Sequence, residues 1–315
     1  MVTALLRSIV FLVSHLPLAL ALALGRALGW VVGSVFRYHR RDAIEALTRA
    51  FPDKPPAEIR RIVQRMYAHL GMNLFEFCRV GGANDRFYRE RIQVENESLV
   101  TQALERKRGL LVLTAHMGNW DLLSSLAPRL GLPLTIITKR IKNQAVNDYW
   151  MRRREGWGLR FVPARNSYRQ CLSALKRNEL VGFILDQNMI RSEGIFVDFL
   201  GRAACTTPGL AYMSAQSGAP VLPAFMIREP RGHHRALVLP PIDPPPGRKP
   251  ETIALYTQRY TRVIEDVIRQ YPEQWIWLHR RWRTVPLPAA GGGGAESDVP
   301  AAGGERQDAV PPAVG

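Results

Sequence analysis

Between residues 110 and 240, short β-rich runs take turns with helical stretches, and this alternation narrows the fold more than any other feature of the chain. The runs are LLVLT (110–114), LTIIT (134–138), VGFIL (181–185), IFVDF (195–199), VLPAFMI (221–227) and RALVLP (235–240). Helical stretches are expected between them at 121–130, 146–157, 168–176 and 208–217. The last has clear punctuation, with Thr207 as N-cap, Pro208 at the first helical position and Gly218 just past the end. Parallel strands need a crossover of a dozen or more residues, which a helix supplies. The pattern therefore predicts an α/β fold over 95–287, with a mixed, largely parallel sheet flanked by helices. A final helix is expected over 253–271.

The region before residue 95 reads differently. Residues 9–25, IVFLVSHLPLALALALG, are almost wholly apolar, and ALGWVVGSVF follows Arg26. Ala21 and Ala23 resemble a signal-peptide cleavage site. The cationic cluster Arg37-Tyr38-His39-Arg40-Arg41 lies on the far side, however, and cationic flanks stay in the cytoplasm. Residues 1–36 thus read as a retained N-terminal membrane-anchoring helical segment, spanning or monotopic, with the rest of the chain cytoplasmic; a buried core helix is the plainer alternative. Residues 37–94 form an amphipathic helical segment. Ile59, Ile62, Val63, Met66, Leu70 and Leu74 recur at helical spacing, while Arg60, Arg61 and Arg65 fall elsewhere and suit either anionic headgroups or water. From 288 to 315 the Ala-, Gly- and Pro-rich tail cannot bury enough surface to fold and reads as disordered.

A net charge of +16 favours an anionic partner. Nucleic acid is the weaker choice, because no binding motif accompanies the charge and such a protein has no need of the apolar N-terminus. Cys78, Cys171 and Cys205 are scattered and without a CxxC pair, which argues against disulfides or a zinc site. His233-His234, in a glycine-containing RGHHR segment, reads as an exposed hairpin turn with no metal role. No metal and no cofactor are expected.

The chemistry gathers in GLLVLTAHMGNWDLLSSLAPRLG. A strand ends at Thr114, His116 follows in the turn, Asn119 can cap a helix beginning at Trp120, and Asp121 sits in its first turn. His116 and Asp121 can meet across a strand–turn–helix, giving an imidazole whose tautomer a carboxylate holds, at the strand end where α/β sheets bind ligands. Without a G-x-S-x-G elbow or a catalytic cysteine, such a dyad acts on the substrate's own hydroxyl. The plainer alternative is a histidine that caps or fills the core.

H-x4-D after a strand is similar to the signature of glycerolipid-type acyltransferases. The blocks LDQN (185–188), GIFVDFLGRAACTTPGLAYMSAQSGAPVLPAF (194–225) and PEQWIWLHRRWRT (272–284) narrow the resemblance to the lipid A biosynthesis late acyltransferases, from the anchor to about Pro286. The resemblance implies transfer of an acyl chain from acyl carrier protein to a hydroxyl of a lipid A precursor or related glycolipid, at the cytoplasmic face of the inner membrane, with an ornithine lipid or a lysophospholipid as the alternative acceptor. It implies that His116 is the general base and Asp121 its relay carboxylate. Arg154, Asp186, Arg140 and Asn119 are placed as substrate-binding residues, although the segment around Arg140 reads KRIKNQ and lacks the prolines of the family pattern. Arg152 and Arg153, with Lys139, Arg140 and Lys142, are candidates for docking the acidic carrier protein. His279 reads as structural or interfacial rather than catalytic. Trp275, Trp277 and Trp282 suit either a membrane-interface belt or the core.

Overall fold

Pro17 divides the apolar N-terminus into two helices in the computed structural model, which describes residues 2–83, 85–139 and 141–287. Helix α1 (Val2–His15) is followed by α2 (Leu18–Trp30), which continues as a π turn through Val31–Val35. Then come α3 (Arg40–Ala50), α4 (Pro56–Val80) and α5 (Asp85–Arg91). Strands and helices alternate from there: β1 (Ile92–Glu95), α6 (Ser98–Glu105), β2 (Leu110–Thr114), α7 (Trp120–Arg129), β3 (Leu134–Thr138), α8 (Gln144–Glu155), β4 (Arg160–Pro163), α9 (Tyr168–Lys176) and β5 (Leu180–Ile184). The last third holds β6 (Ile195–Phe199), β7 (Arg202–Thr206), α10 (Gly209–Ser217), β8 (Val221–Arg228), β9 (His234–Val238) and α11 (Pro250–Gln270).

Seven strands form one sheet in the order β1-β9-β8-β2-β5-β3-β4. Its pairings are parallel, as helical crossovers require, with one exception. The short link between β8 and β9 leaves no room for a crossover and makes that pair antiparallel. IFVDF leaves this sheet: as β6 it pairs with β7 in a separate antiparallel ribbon. The sheet also begins earlier than expected, with β1 on its edge. Strand side chains alternate between faces. Leu110, Leu134, Leu180 and Leu222 point to the side covered by α6 and α7. Leu111, Leu113, Val181 and Phe183 point to the side of α9, α10 and α11.

Helix α4 carries the expected stripe. Ile59, Ile62, Val63 and Met66 are buried, Arg60, Arg61 and Arg65 are exposed, and Leu70 is half-buried. Leu74, expected on the inner face, is exposed instead, because the buried stripe turns toward Asn73, Glu76 and Phe77. Helix α2 lies against α4 with backbones touching. A methyl group at Gly71 would come within 2.0 Å of the Gly25 carbonyl oxygen, and one at Gly29 within 2.0 Å of that of Tyr67. Only glycine permits that approach. Away from the seam, Leu20, Leu24, Leu28 and Trp30 are exposed. Leu18–Val35 is long and apolar enough to cross a membrane.

Through Val285 the chain is one compact unit. Pro286 and Leu287 have no regular structure. The expected disordered tail over 288–315, and Arg140, lie outside the described residues. Trp275 and Trp277 belong to the core rather than to an exposed belt, and Trp282 packs against it. His233 is exposed, but its neighbour is not in a turn: His234 opens β9 and is buried, held by a carboxylate from α4.

Candidate active site

Strands β2 and β5 are neighbours, and their register pairs Leu110 with Leu180 and Thr114 with Ile184. Carried two residues further, the same register sets His116 opposite Asp186. His116 Nδ1 lies 2.9 Å from Asp186 Oδ1, while the His116 backbone N–H donates to Asp186 Oδ2 at 2.8 Å. Trp275 Nε1 donates to the same Oδ2 at 2.8 Å. Burial works against the Asp186 charge, yet His116 and these donors overcome it and hold the carboxyl down at about 2. An ionised carboxylate only accepts, so Nδ1 carries the imidazole proton and Nε2 is left as the basic nitrogen. Burial alone would lower the His116 pKa. The Asp186 carboxylate, by charge and hydrogen bond, and Asp121 by charge, raise it above its ordinary value.

The carboxylate behind His116 is therefore Asp186, which corrects the expectation that Asp121 fills that place. Asp121 turns to Arg154 instead, whose Nε donates to Oδ1 at 2.7 Å and whose Nη2 lies 2.5 Å from it. Burial raises the Asp121 pKa and Arg154 offsets part of the rise. Asp186, placed among the substrate-binding residues, is buried and fully engaged with His116 and Trp275. Arg154 does reach the site, but bound to Asp121 and stacked over Trp150, 5.3 Å from its ring centre.

Asn119 caps α7 as expected, accepting from the Leu122 N–H at 3.0 Å. It is not exposed to substrate. Its Nδ2 donates to Glu76 Oε2 at 2.6 Å, and the residue is buried. Beneath the turn, Arg228 donates to Glu76 from both Nη1 and Nη2 at 2.6 Å, and His234 Nε2 lies 3.0 Å from Glu76 Oε1. Asn73 binds Arg228 and donates to the Gly118 carbonyl. Burial opposes the Glu76 charge, but Arg228 and His234 hold its carboxyl far below the ordinary carboxylate range. Gly118 has φ +54°, and a methyl group there would lie 1.5 Å from the Met226 carbonyl oxygen. The turn between His116 and Asp121 thus rests on a buried ion pair and accepts only glycine at its tightest point.

His116, Trp120, Asp121 and Arg154 stand around the mouth of a cavity of about 220 Å³ between the sheet and helices α6 and α7. Its walls are mostly apolar, with Val112, Leu134, Ile136 and Leu180 from the strands and Leu123 and Leu126 from α7, beside the polar Glu97, Thr101 and Ser124. Gly182 lies on its floor between Val112 and Ile136. A methyl group at Gly182 would meet nothing nearer than 3.5 Å, so no packing demand accounts for the glycine.

The residues expected to dock a carrier protein separate. Arg152, Lys139 and Lys142 are exposed. Arg153 is half-buried and donates to the carbonyls of Phe77 and Cys78 on α4, so its charge is spent inside the molecule. His279, read as structural, accepts the Asn188 N–H at 3.0 Å. Among the described residues there is no cluster of three or more His, Cys, Asp or Glu side chains able to hold a metal ion.

Residues 1–284 match the family model of bacterial lipid A biosynthesis acyltransferases. The chain belongs to this family. It is 27% identical over 284 residues to the lipid A biosynthesis lauroyltransferase of Escherichia coli (strain K12), covering 88% of this chain and 90% of that protein. It is 25% identical over 281 residues to the phosphatidylinositol mannoside acyltransferase of Mycolicibacterium smegmatis (strain ATCC 700084 / mc(2)155), covering 82% and 90%. Among solved structures, the 1-acyl-sn-glycerophosphate (LPA) acyltransferase PlsC from Thermotoga maritima aligns with TM-score 0.35 and 14% identity, over 79% of this chain and 97% of that one.

Proposed function

We propose that this protein moves a fatty acyl chain from an acyl carrier protein thioester to a hydroxyl of a lipid A precursor, at the cytoplasmic face of the inner membrane. One observation carries the reading: an imidazole with its Nδ1 proton fixed by Asp186 stands at the mouth of an apolar cavity. The acyl chain lies in that cavity with its thioester carbonyl beside His116. Nε2 removes the proton of the acceptor hydroxyl, whose oxygen attacks the carbonyl carbon. The C–S bond then breaks, and the proton passes from Nε2 to the departing thiolate, leaving an ester and a thiol. Arg154, the one Arg or Lys among the described residues that line the cavity, faces the negative charge that develops on the carbonyl oxygen.

The N-terminal helices supply the attachment. Helix α4, which receives α2 at Tyr67 to Met72, is itself part of the core. Helix α2 cannot stand upright through a bilayer in its groove unless α4 stands with it. It lies instead in the interface plane, its exposed leucines and Trp30 toward lipid. Arg152, Lys139 and Lys142 remain available to an acidic carrier. The mycobacterial relative makes a phosphatidylinositol mannoside the second reading of the acceptor.

The test is transfer by purified protein in mixed micelles, from an acyl carrier protein thioester to a lipid A precursor with free hydroxyacyl chains, with lipid mass spectrometry of cells with and without the gene. Formation of the new ester supports the reading. Thioester consumption with no lipid product, or a mannolipid as the only product changed in cells, overturns the acceptor assignment.

A further inference from the structure

A second cavity, of about 430 Å³, opens on His116 from the other face of the sheet. Consecutive strand residues divide between the two. Ile136 and Gly182 line the first and Phe183 and Leu185 the second, while Ile137, Thr138 and Ile184, at the strand ends beside His116, line both. The sheet is the shared wall, and His116, just beyond the carboxyl end of β2, lines both spaces.

We propose that this second cavity binds the acceptor as a sugar-linked hydroxyacyl chain, so that donor and acceptor reach one base from opposite faces of one sheet. The inference rests on the acyl-transfer reading above and deepens it. Two chains take part in the reaction, and two cavities converge on the imidazole. Their linings decide which chain goes where. The first is mainly apolar and suits a bare acyl chain with a carbonyl at its end. Arg154 and Asp121 bind each other at its mouth, and Glu97, Thr101 and Ser124 are the polar residues that α6, α7 and the turn before α6 add. The second is roomier and mixed. Phe183, Leu185 and Met213 give it an apolar base, while Asn166, Tyr168, Gln187 and Thr207 bring amide and hydroxyl groups. Uncharged donors and acceptors above an apolar floor fit a sugar that carries a hydrocarbon chain. Lys139 lines the same space, where a phosphate on the sugar would meet it. A hydroxyl held here approaches the His116 ring from the side the acyl chain does not occupy.

The experiment measures acceptor binding to the full chain with no donor present, so no turnover is needed. The probe is a glucosamine phosphate bearing one 3-hydroxyacyl chain, titrated in detergent micelles. Gln187→Ala with Tyr168→Ala, both outside the core, should weaken binding about tenfold. Met213→Trp, which fills the cavity, should weaken it further, and circular dichroism checks that this variant is folded. In transfer assays the same variants should raise the KM for the acceptor at least tenfold, while the donor chain length giving the highest rate stays where it was. Unchanged binding in the Gln187/Tyr168 variant would overturn the proposal, and so would a shift of the preferred donor length. Should the unaltered protein transfer no acyl group at all, the acyl-transfer reading fails, while the binding titration still decides whether this cavity holds the glycolipid.

Discussion

Gly182 and Phe183 are neighbours in β5, yet they look onto different chemistry. Gly182 lies on the floor of a mainly apolar cavity of about 220 Å³, whereas Phe183 helps floor one of about 430 Å³ lined with amides and hydroxyls. Residue-by-residue alternation of a strand lets one sheet carry two recognition problems without compromise between them. Substitutions on one face should therefore change the identity of one substrate, and only residues at the shared edge should change both.

The largest effect belongs to that edge. His116→Ala should lower kcat by about 10²–10⁴-fold for every donor and acceptor, since both faces use one base. Retention of more than a tenth of the normal transfer rate would show that the two cavities do not share it. Asp186→Asn comes next, with a loss of about 10²-fold or more from an imidazole whose tautomer is no longer set. It also moves the pH profile in a definite direction. His116 is a base only when neutral, so activity rises as pH passes its pKa, which Asp186 raises above the ordinary 6.5. Removing that charge lowers the pKa, and the acidic limb of kcat/KM should shift to lower pH as the plateau falls. A limb that stays put would point to a different group.

Glu76→Gln tests the base beneath the shared edge. Breaking a buried ion pair costs roughly 3–5 kcal/mol, so chemical denaturation should show a loss of that order. Because the Glu76 pKa is depressed on folding, its contribution is present above the ordinary carboxylate range and disappears as pH falls toward the depressed value. The deficit of Glu76→Gln should therefore shrink in acid. Gly182→Val is smaller and one-sided. It should shorten the longest acyl chain accepted, with a penalty of about 10–200-fold for each methylene that no longer fits, and leave the KM for the acceptor in place. An equal penalty on all donor lengths would mean that the first cavity does not measure the chain. The smallest effect is expected from Arg152→Glu, a few-fold rise in the KM for the carrier-linked donor that fades at high salt and is absent with a small water-soluble thioester.

Much of the fold was legible because it is local. Helix α9 falls at 168–176 as read, and each of the six β-rich runs overlaps a strand. What the sequence hid is nonlocal. Strands β1, β4 and β7 are four or five residues long and lean on neighbours for their structure. Asp121 seemed the partner of His116 because it is near in sequence. Asp186 takes the place because β2 and β5 are adjacent in register, a fact of strand order. Glu76 looked like one polar residue on an amphipathic helix. Its partners Asn119, Arg228 and His234 come from distant segments, and no spacing rule gathers them. Arg153 and Arg152 look alike in sequence, and only the fold turns one inward.

The glycine seam along α4 has a mechanical consequence. Gly71 receives α2, and on the same rigid helix, within a turn and a half, Asn73 and Glu76 grip the backbone and cap of the His116 turn. With α2 in the interface plane, as proposed above, that helix is part of the chassis rather than a tether. A sideways push on α2, from a bilayer of different packing or from a detergent that wedges into the seam, travels along α4 as a displacement of the groups under Gly118. On that arrangement transfer activity should be lost in harsh detergents well before the sheet unravels, which activity and circular dichroism followed in parallel would show.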